Sequence, residues 1–395
     1  MARLCVLGSN SGRNAGDAAI LSSIIRNIGR LRPDTIFEVP VPNPANLYRR
    51  FDRARVRAVN MMPWSLSLRL LGLPTLLSIR RCDTVLITDG IIFDVKLFNP
   101  LFNFLILLIF LVPWARLCGK RVVCFLVGIG PLHSRIGRRM ARFVCNRCDA
   151  IMVRETDSQA LLEEIGIDPA RIEVYADAAF LDEPAEPNRV ATIFDENGLN
   201  DGKPVIGLNV NAYFDRWIRD ERGREIDRDV FVEALAHGID KTLAQLDCRI
   251  AMVLTQVMDV PFAHRVLERV NRRNAVAVLG NDRYSPEELM GAMGRMHLFV
   301  GMRVHSLILA AAMDTPCVGL AYAPKVRHFM RLVGTPEHTI ELPTLTGDRF
   351  AETVTRAFEA RAQLRATLAA RMQEIKAAAM RGFETLAESL PPHAE

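Results

Sequence analysis

The feature that most constrains this chain is an alternation sustained over most of its length. Short apolar runs rich in β-branched residues are followed by amphipathic helical stretches, then by further apolar runs. Leu4–Leu7, Ile36–Val39, Thr84–Thr88, Val122–Val127, Ala150–Val153 and Ile172–Tyr175 read as strands, with helices such as Asp17–Leu31 and Ser158–Ile165 between them. Strands that are apolar on both sides and separated by helices build parallel sheets covered on both faces. The pattern breaks at Phe180–Pro204, a stretch rich in Pro, Asp, Glu, Asn and Gly that reads as a linker. It then restarts. Strands are expected at Val205–Val210, Arg249–Thr255, Ala275–Leu279, Leu298–Gly301 and Cys317–Ala321, with helices near Arg228–Leu246, Val260–Arg272, Pro286–Met293, Val304–Met313 and Val326–Val333. Phe350–Leu390 is helical in pattern. The expected fold is therefore α/β: two Rossmann-like, doubly wound domains facing a cleft, with ligands at the carboxyl ends of strands. The expected boundaries are 1–183, a linker at 184–204, a second domain at 205–345 and C-terminal helices at 346–395.

A length of 395 residues is enough for two such domains with substantial cores. The net charge of +5 is too weak to argue for nucleic acid, though it suits an anionic substrate or an anionic membrane surface. Eight cysteines in a chain this long are not a disulfide framework. Cys5, Cys124 and Cys317 lie in strand-like runs, where a thiol behaves as a small hydrophobe. Cys145 and Cys148 form a CxxC on a predicted helix without a second pair, so no metal site is expected and a reducing, cytosolic setting fits. The N-terminal MARLCVLGSN enters a strand at once, without the basic-then-apolar layout of a secretion signal. Leu101–Val112, fenced by Pro100 and Pro113, is the greasiest stretch and is too short to span a bilayer. It reads as a core helix; the alternative is a peripheral contact with a membrane or a lipid-linked substrate.

Four strand-to-helix turns carry chemistry-bearing residues. GSNSGRNAGD, Gly8–Asp17, joins the first strand to the first long helix and contains Asn14, Gly16 and Asp17. Glycines let backbone pass close to a ligand, and a helix N-terminus favours an anion. A structural turn capped by Asp17 is equally compatible. VGIGPLHS places Gly128 and Gly130 in a tight turn with His133 nearby at the surface. AIMVRETDS puts Arg154 at a strand's carboxyl end, where it serves either a carboxylate or phosphate ligand or a salt bridge to Glu155 or Asp157. Asp177 also sits at a strand end, as an interdomain cap or part of a site. Finally, Gly301–Val326 reads as buried core, yet it holds Arg303, His305 and Ser306 in one helix's first turn and Lys325 after the next strand. Adjacent parallel strands bring such ends side by side, so three cationic or titratable groups converge on an anion site.

Taken in order, these stretches resemble the polysaccharide pyruvyl transferase family over nearly the whole chain. The matching pieces are Asn14-Ala15-Gly16-Asp17-Ala18-Ala19-Ile20, Gly128-Ile129-Gly130-Pro131, Val153-Arg154-Glu155 with Ser158, Gly301-Met302-Arg303-Val304-His305-Ser306, and Thr315-Pro316 through Tyr322 to Lys325. The resemblance implies a GT-B-like two-domain fold and transfer of the enolpyruvyl unit of phosphoenolpyruvate onto two hydroxyls of a sugar, giving a cyclic ketal. It implies Arg154, Arg303, His305 and Lys325 as donor-binding and catalytic candidates, with His305 as general acid, and it calls for no cofactor. It also implies a sugar or lipid-linked oligosaccharide acceptor. Two departures stand out: Asp89-Gly90 where the family often has Gly-Gly, and Asp177-Ala178-Ala179-Phe180 where Asp-Pro-Ala-Phe is common. Two other readings stay open, a nucleotide-sugar glycosyltransferase of the same fold and a non-catalytic glycan-binding protein.

Overall fold

The computed structural model describes residues 2–61, 67–68, 71–95, 103–212 and 227–391. The expected apolar stretch from Leu101 therefore lies partly outside the described residues. Two compact units form: Met1–Gly12 with Asp17–Leu181 and Lys376–Glu395, and Arg13–Gly16 with Asp182–Ile375. The first elements are β1 (Arg3–Leu7), α1 (Ala15–Leu31), β2 (Ile36–Val41), α2 (Pro44–Tyr48) and β3 (Val56–Asn60). A two-residue antiparallel pair, β4 (Ser67–Leu68) and β5 (Leu71–Gly72), precedes α3 (Leu73–Arg81). Then come β6 (Thr84–Ile87), α4 (Phe104–Leu117), β7 (Arg121–Val127), α5 (Arg135–Cys145), β8 (Ala150–Val153), α6 (Thr156–Glu164) and β9 (Ile172–Val174).

The main sheet of this unit is wholly parallel, in the order β3-β2-β1-β6-β7-β8-β9. Alternate residues of its strands, such as Cys5 and Leu7, Val85 and Ile87, and Ile151 and Val153, share one core with α3, α4, α5 and α6. Phe125 belongs to the opposite face, where it meets Phe383 edge-on at 5.1 Å between ring centroids. Asn103 caps α4, accepting the Ile106 N–H, and Ser134 caps α5, accepting the Gly137 N–H. The expectation that Pro113 ends the apolar helix is corrected: α4 runs through it to Leu117. Only one helical hydrogen bond is lost to the missing N–H, and the flanking Leu111, Val112 and Ala115 are fully seated in the core. The CxxC cysteines are buried thiols beside Cys124, whose sulfur lies 3.5 Å from that of Cys148. Hydrogen bonding with Cys145 and Cys148, then burial, pushes the Cys124 thiol well up, which keeps it protonated.

The second unit contains α7 (Pro187–Glu196), β10 (Val205–Asn209), α8 (Arg228–Gln245), β11 (Arg249–Leu254), α9 (Val260–Arg269), β12 (Val276–Gly280) and α10 (Pro286–Gly294). It continues with β13 (Leu298–Gly301), α11 (Val304–Ala312), β14 (Cys317–Ala321), α12 (Pro324–Leu332), β15 (Thr339–Glu341), α13 (Gly347–Glu359) and α14 (Arg361–Ser389). Its sheet is parallel throughout, in the order β12-β11-β10-β13-β14-β15. The stretch expected as a linker at 184–204 instead holds α7, a folded helix of this unit. Val190, Ile193 and Phe194 recur at helical spacing and are buried, and Val190 packs against Gly291 of α10. The C-terminal helices also do not form a separate body: α13 packs on α8, and α14 passes from the second unit into the first at Lys376.

Candidate functional site

In an open parallel sheet, ligands bind where the strand order reverses. In the second unit that point lies between β10 and β13, where Asn209 and Gly301 are register partners. Asn209 is fully buried; its Nδ2 donates to the Val253 carbonyl at 2.7 Å and its Oδ1 accepts the Arg303 N–H at 3.0 Å. This fixes Arg303 at the N-cap of α11, with extended backbone at φ −79°, ψ 129°. Its guanidinium grips Asp259 through two bonds, Nε to Oδ2 at 2.5 Å and Nη2 to Oδ1 at 2.7 Å. Such a fork is the geometry in which arginine binds a carboxylate best. Asp259 is fully buried and also accepts the Ala212 N–H at 2.9 Å, while the Arg303 side chain keeps 19% of its area exposed.

His305 follows in the first turn of α11 and is held by an unexpected neighbour. Residues 13–16 run along the end of β11: Asn14 bridges Gln256, Ala15 N–H donates to the Thr255 carbonyl at 2.7 Å, and Val257 N–H donates to the Arg13 carbonyl at 3.1 Å. This lays Gly16 directly on the imidazole, where a Cβ would fall 2.4 Å from His305 Cβ and 2.6 Å from Nδ1. Only glycine fits this approach. Asn14 serves the segment itself, its Oδ1 accepting the Gly16 N–H at 3.0 Å. Ser306 is buried and its hydroxyl donates to the Arg303 carbonyl at 2.7 Å, which steadies the helix start. Both are substrate-binding candidates from the sequence; in the structure Asn14 Oδ1 and the Ser306 hydroxyl serve local turns, because a helix start and a tight loop each leave backbone groups to be satisfied. Lys325 opens α12, which follows β14, the strand paired with β13. Its Nζ stands 5.3 Å from the centre of the Tyr322 ring, a cation–π contact, and Tyr322 is 6% exposed. At the end of β11, the buried Thr255 Oγ1 and Gln256 Oε1 find no hydrogen-bond partner among the described residues.

The first unit reverses its strand order between β1 and β6. Asp89 lies just past β6, buried, with Oδ2 accepting the Ser9 N–H at 3.2 Å and Oδ1 the Gly90 N–H at 2.9 Å. Its φ of +70° is the left-handed region, which aspartate tolerates better than most residues. That conformation accounts for the glycine expected at this position. Arg154, just past β8, is held under Gly128, where a Cβ would come within 2.5 Å of Nη2. Its salt bridge runs to Asp177 Oδ2 at 2.6 Å, a residue beyond β9 rather than one on its own turn. Asp177 also accepts the Ala179 N–H at 2.9 Å through Oδ1. Burial opposes the charge on Arg154, but the carboxylates of Asp177, Glu155, Asp89 and Asp17 outweigh it and raise its pKa. Gly130 has φ +103° and a Cβ there would strike Leu161, so it shapes the turn. His133 is exposed.

Sequence reasoning passed over Asp259 and Asn209, the two residues that position Arg303. The available signal was weak: an acidic residue in TQVMDV shortly after an apolar strand, and a lone Asn at the end of another. Among the described residues, no group of three or more His, Cys, Asp or Glu is placed to hold a metal ion.

The family profile of polysaccharide pyruvyl transferases matches residues 14–324, a span that runs from Asn14 to Pro324 and takes in β6 with Asp89 and the β10–β13 switch point. The chain belongs to the polysaccharide pyruvyl transferase family. A curated relative, the amylovoran biosynthesis protein AmsJ of Erwinia amylovora, is 25% identical over 251 residues, 58% of this chain and 56% of AmsJ. The match thus spans little more than half of that relative's length. Among solved structures, UDP-GlcNAc 2-epimerase from Neisseria meningitidis bound to UDP-GlcNAc superposes with a TM-score of 0.64 at 12% identity, covering 98% of this chain and 100% of the epimerase. HepE from Anabaena in complex with UDP-glucose gives 0.62 at 15% identity, with 98% and 100% coverage. The E. coli ADP-heptose heptosyltransferase II gives 0.52 at 13% identity, with 92% and 100% coverage. These likenesses show the fold: the pyruvyl transferase family member has two Rossmann-like domains of the GT-B kind.

Proposed function

We propose that this family member moves the enolpyruvyl group of phosphoenolpyruvate onto two hydroxyls of a sugar, forming a pyruvate ketal in surface or exopolysaccharide biosynthesis. The observation that carries the reading is the set Arg303, His305 and Lys325, which opens two helices after the paired strands β13 and β14. A donor with a carboxylate and a phosphate needs fixed cations, and helix N-termini add partial positive charge. In this reading Lys325 takes one anionic group and Arg303, held through Nε and Nη2 by Asp259 with 19% of its side chain exposed, takes the other with the remaining part of its guanidinium. His305 gives its proton to the enol CH2, which becomes the methyl group and leaves an oxocarbenium-like carbon. The first sugar hydroxyl attacks that carbon and its proton returns to His305. Phosphate departs with the electrons of its C–O bond, a step favoured by nearby positive charge. The second hydroxyl closes the ring, and its proton leaves with phosphate.

The roles differ for the first unit. Arg154 stands among four carboxylates, a setting poorly suited to a further anion. We assign it to holding Asp177 and Asp89 where sugar hydroxyls can donate to them, with Gly128 allowing its close seat. All eight cysteines are free, which fits a reducing compartment.

The test is to incubate the pure protein with phosphoenolpyruvate and a panel of free, nucleotide-linked and lipid-linked sugars. Phosphate release is followed together with appearance of a ketal methyl resonance. Release coupled to the methyl signal supports the reading. Turnover of a nucleotide sugar without phosphoenolpyruvate, or glycan binding with no turnover of either donor, sinks it.

A further inference from the structure

The outward side of α4 is apolar at helical spacing. Ile106, Phe110, Pro113 and Leu117 follow one another at three- and four-residue steps, and Phe110 is 55% and Leu117 80% exposed. A helix covering a sheet ordinarily turns charged residues outward. Here Arg116 is the sole charged residue of α4. Its neighbour α5 lies in the same layer, sharing a core with it, and exposes Ile136 and Phe143 at 52% and 37%. On α5 these apolar residues alternate with exposed arginines, and Arg147 lies 3.5 Å from the centre of the Phe143 ring. From Asn103 to Cys148 the chain has eight Lys or Arg and no Asp or Glu, against a net charge of +5 for the whole protein. Arg116 and Arg138 are neutralised by Asp149 and Glu164. Arg135 and Arg139 make no ion pair among the described residues.

We infer that the α4–α5 face docks on the surface of an anionic lipid bilayer, with Phe110 and Leu117 entering the acyl boundary and the arginines of α5 meeting lipid phosphates. Among the described residues no helix is long and apolar enough to cross a membrane, so the contact is interfacial. Apolar side chains ringed by arginine are the composition of such surfaces. A second copy of the chain is a poorer occupant, because pairing this face with itself sets rows of arginine against each other. The inference stands apart from the donor chemistry above.

The experiment is co-sedimentation of the full chain with phosphatidylcholine vesicles, with and without phosphatidylglycerol, at rising salt. Binding to the anionic vesicles is expected and should weaken as salt screens it. Arg135→Gln and Arg139→Gln should each lower the partition constant about fivefold, and Phe110→Ser with Leu117→Ser should lower it at least about tenfold. All four positions are exposed, so melting temperatures should hold, and phosphate release with a soluble acceptor should not change. Equal binding to neutral vesicles, or binding untouched by the variants, overturns the inference. So does absence of pelleting alongside a dimer that Phe110→Ser with Leu117→Ser dissolves, which would assign the face to a second copy.

Discussion

The strand order of the first unit reverses between β1 and β6, and the buried Asp89 sits there; in the second unit it reverses between β10 and β13, and Arg303 sits there. Each unit repeats one arrangement, an arginine just past a strand, a buried aspartate beyond a nearby strand, and a glycine pressed against a side chain, Arg154 in the first and His305 in the second. The companions of the two arginines differ. Arg154 is one cation among four carboxylates, whereas Arg303 meets Asp259 in a stretch that also supplies His305 and Lys325. In the proposed reading, one architecture thus serves two tasks, an acceptor side built on carboxylates and a donor side built on Arg303, His305 and Lys325.

The sharpest way to break this contrast is at His305. His305→Gln should lower kcat for pyruvyl transfer about 10²–10⁴-fold, the usual contribution of a general acid, in steady-state assays with phosphoenolpyruvate. Full activity in that variant would remove the acid from the second unit. Next come the two aspartates. Asp259→Ala leaves Arg303 without its forked partner and should cost about 3–5 kcal/mol in urea unfolding. Asp177→Ala should cost less, because Glu155, Asp89 and Asp17 still act on Arg154. Equal losses would show that the two ion pairs stand in equivalent surroundings.

The glycines separate the units more finely. At Gly16 the obstructing atom is His305 Cβ, fixed to its backbone, so Gly16→Ala should lower kcat/KM by about a hundredfold through displacement of the imidazole. At Gly128 the obstruction is the far end of the Arg154 side chain, which can shift, so Gly128→Ala should cost several times less in the same assay.

The smallest effect is in pH. Burial pushes the pKa values of His297 and His338 below 6.5; Arg361 and Arg365 add to this at His297, while at His338 Glu337 opposes it and Arg356 adds to it. The unfolded chain therefore binds protons first as pH falls. Stability present above 6.5 should decline below it, and melting temperatures from neutral to mildly acidic pH will show this. The decline should belong to the second unit, since the first has only the exposed His133 among its described histidines. A His338→Gln variant with an unchanged pH slope would count against His338 as a source.

The central strands were legible because each is buried on both faces and so apolar throughout. Val56–Asn60 was not: it is an edge strand, half exposed, with Arg57 pointing to solvent. Pro187–Glu196 reads as part of a linker by composition, and its helix shows only in the spacing of Val190, Ile193 and Phe194. Arg303, His305 and Lys325 were visible as polar residues in otherwise buried surroundings. Asp259 was not, since a single acidic residue after a strand is ordinary.

The sequence by itself determined where strands end and helices begin, and so which residues stand at the carboxyl edge of each sheet. These are local matters of periodicity, capping and backbone freedom, written within a few neighbouring positions. Only the tertiary structure decided that Gly16 lies on His305, that Asp259 rather than another carboxylate holds Arg303, and that Arg154 turns to Asp177. Each of those pairings joins segments far apart in the chain, and it is set by sheet order and register, which no short stretch of residues encodes.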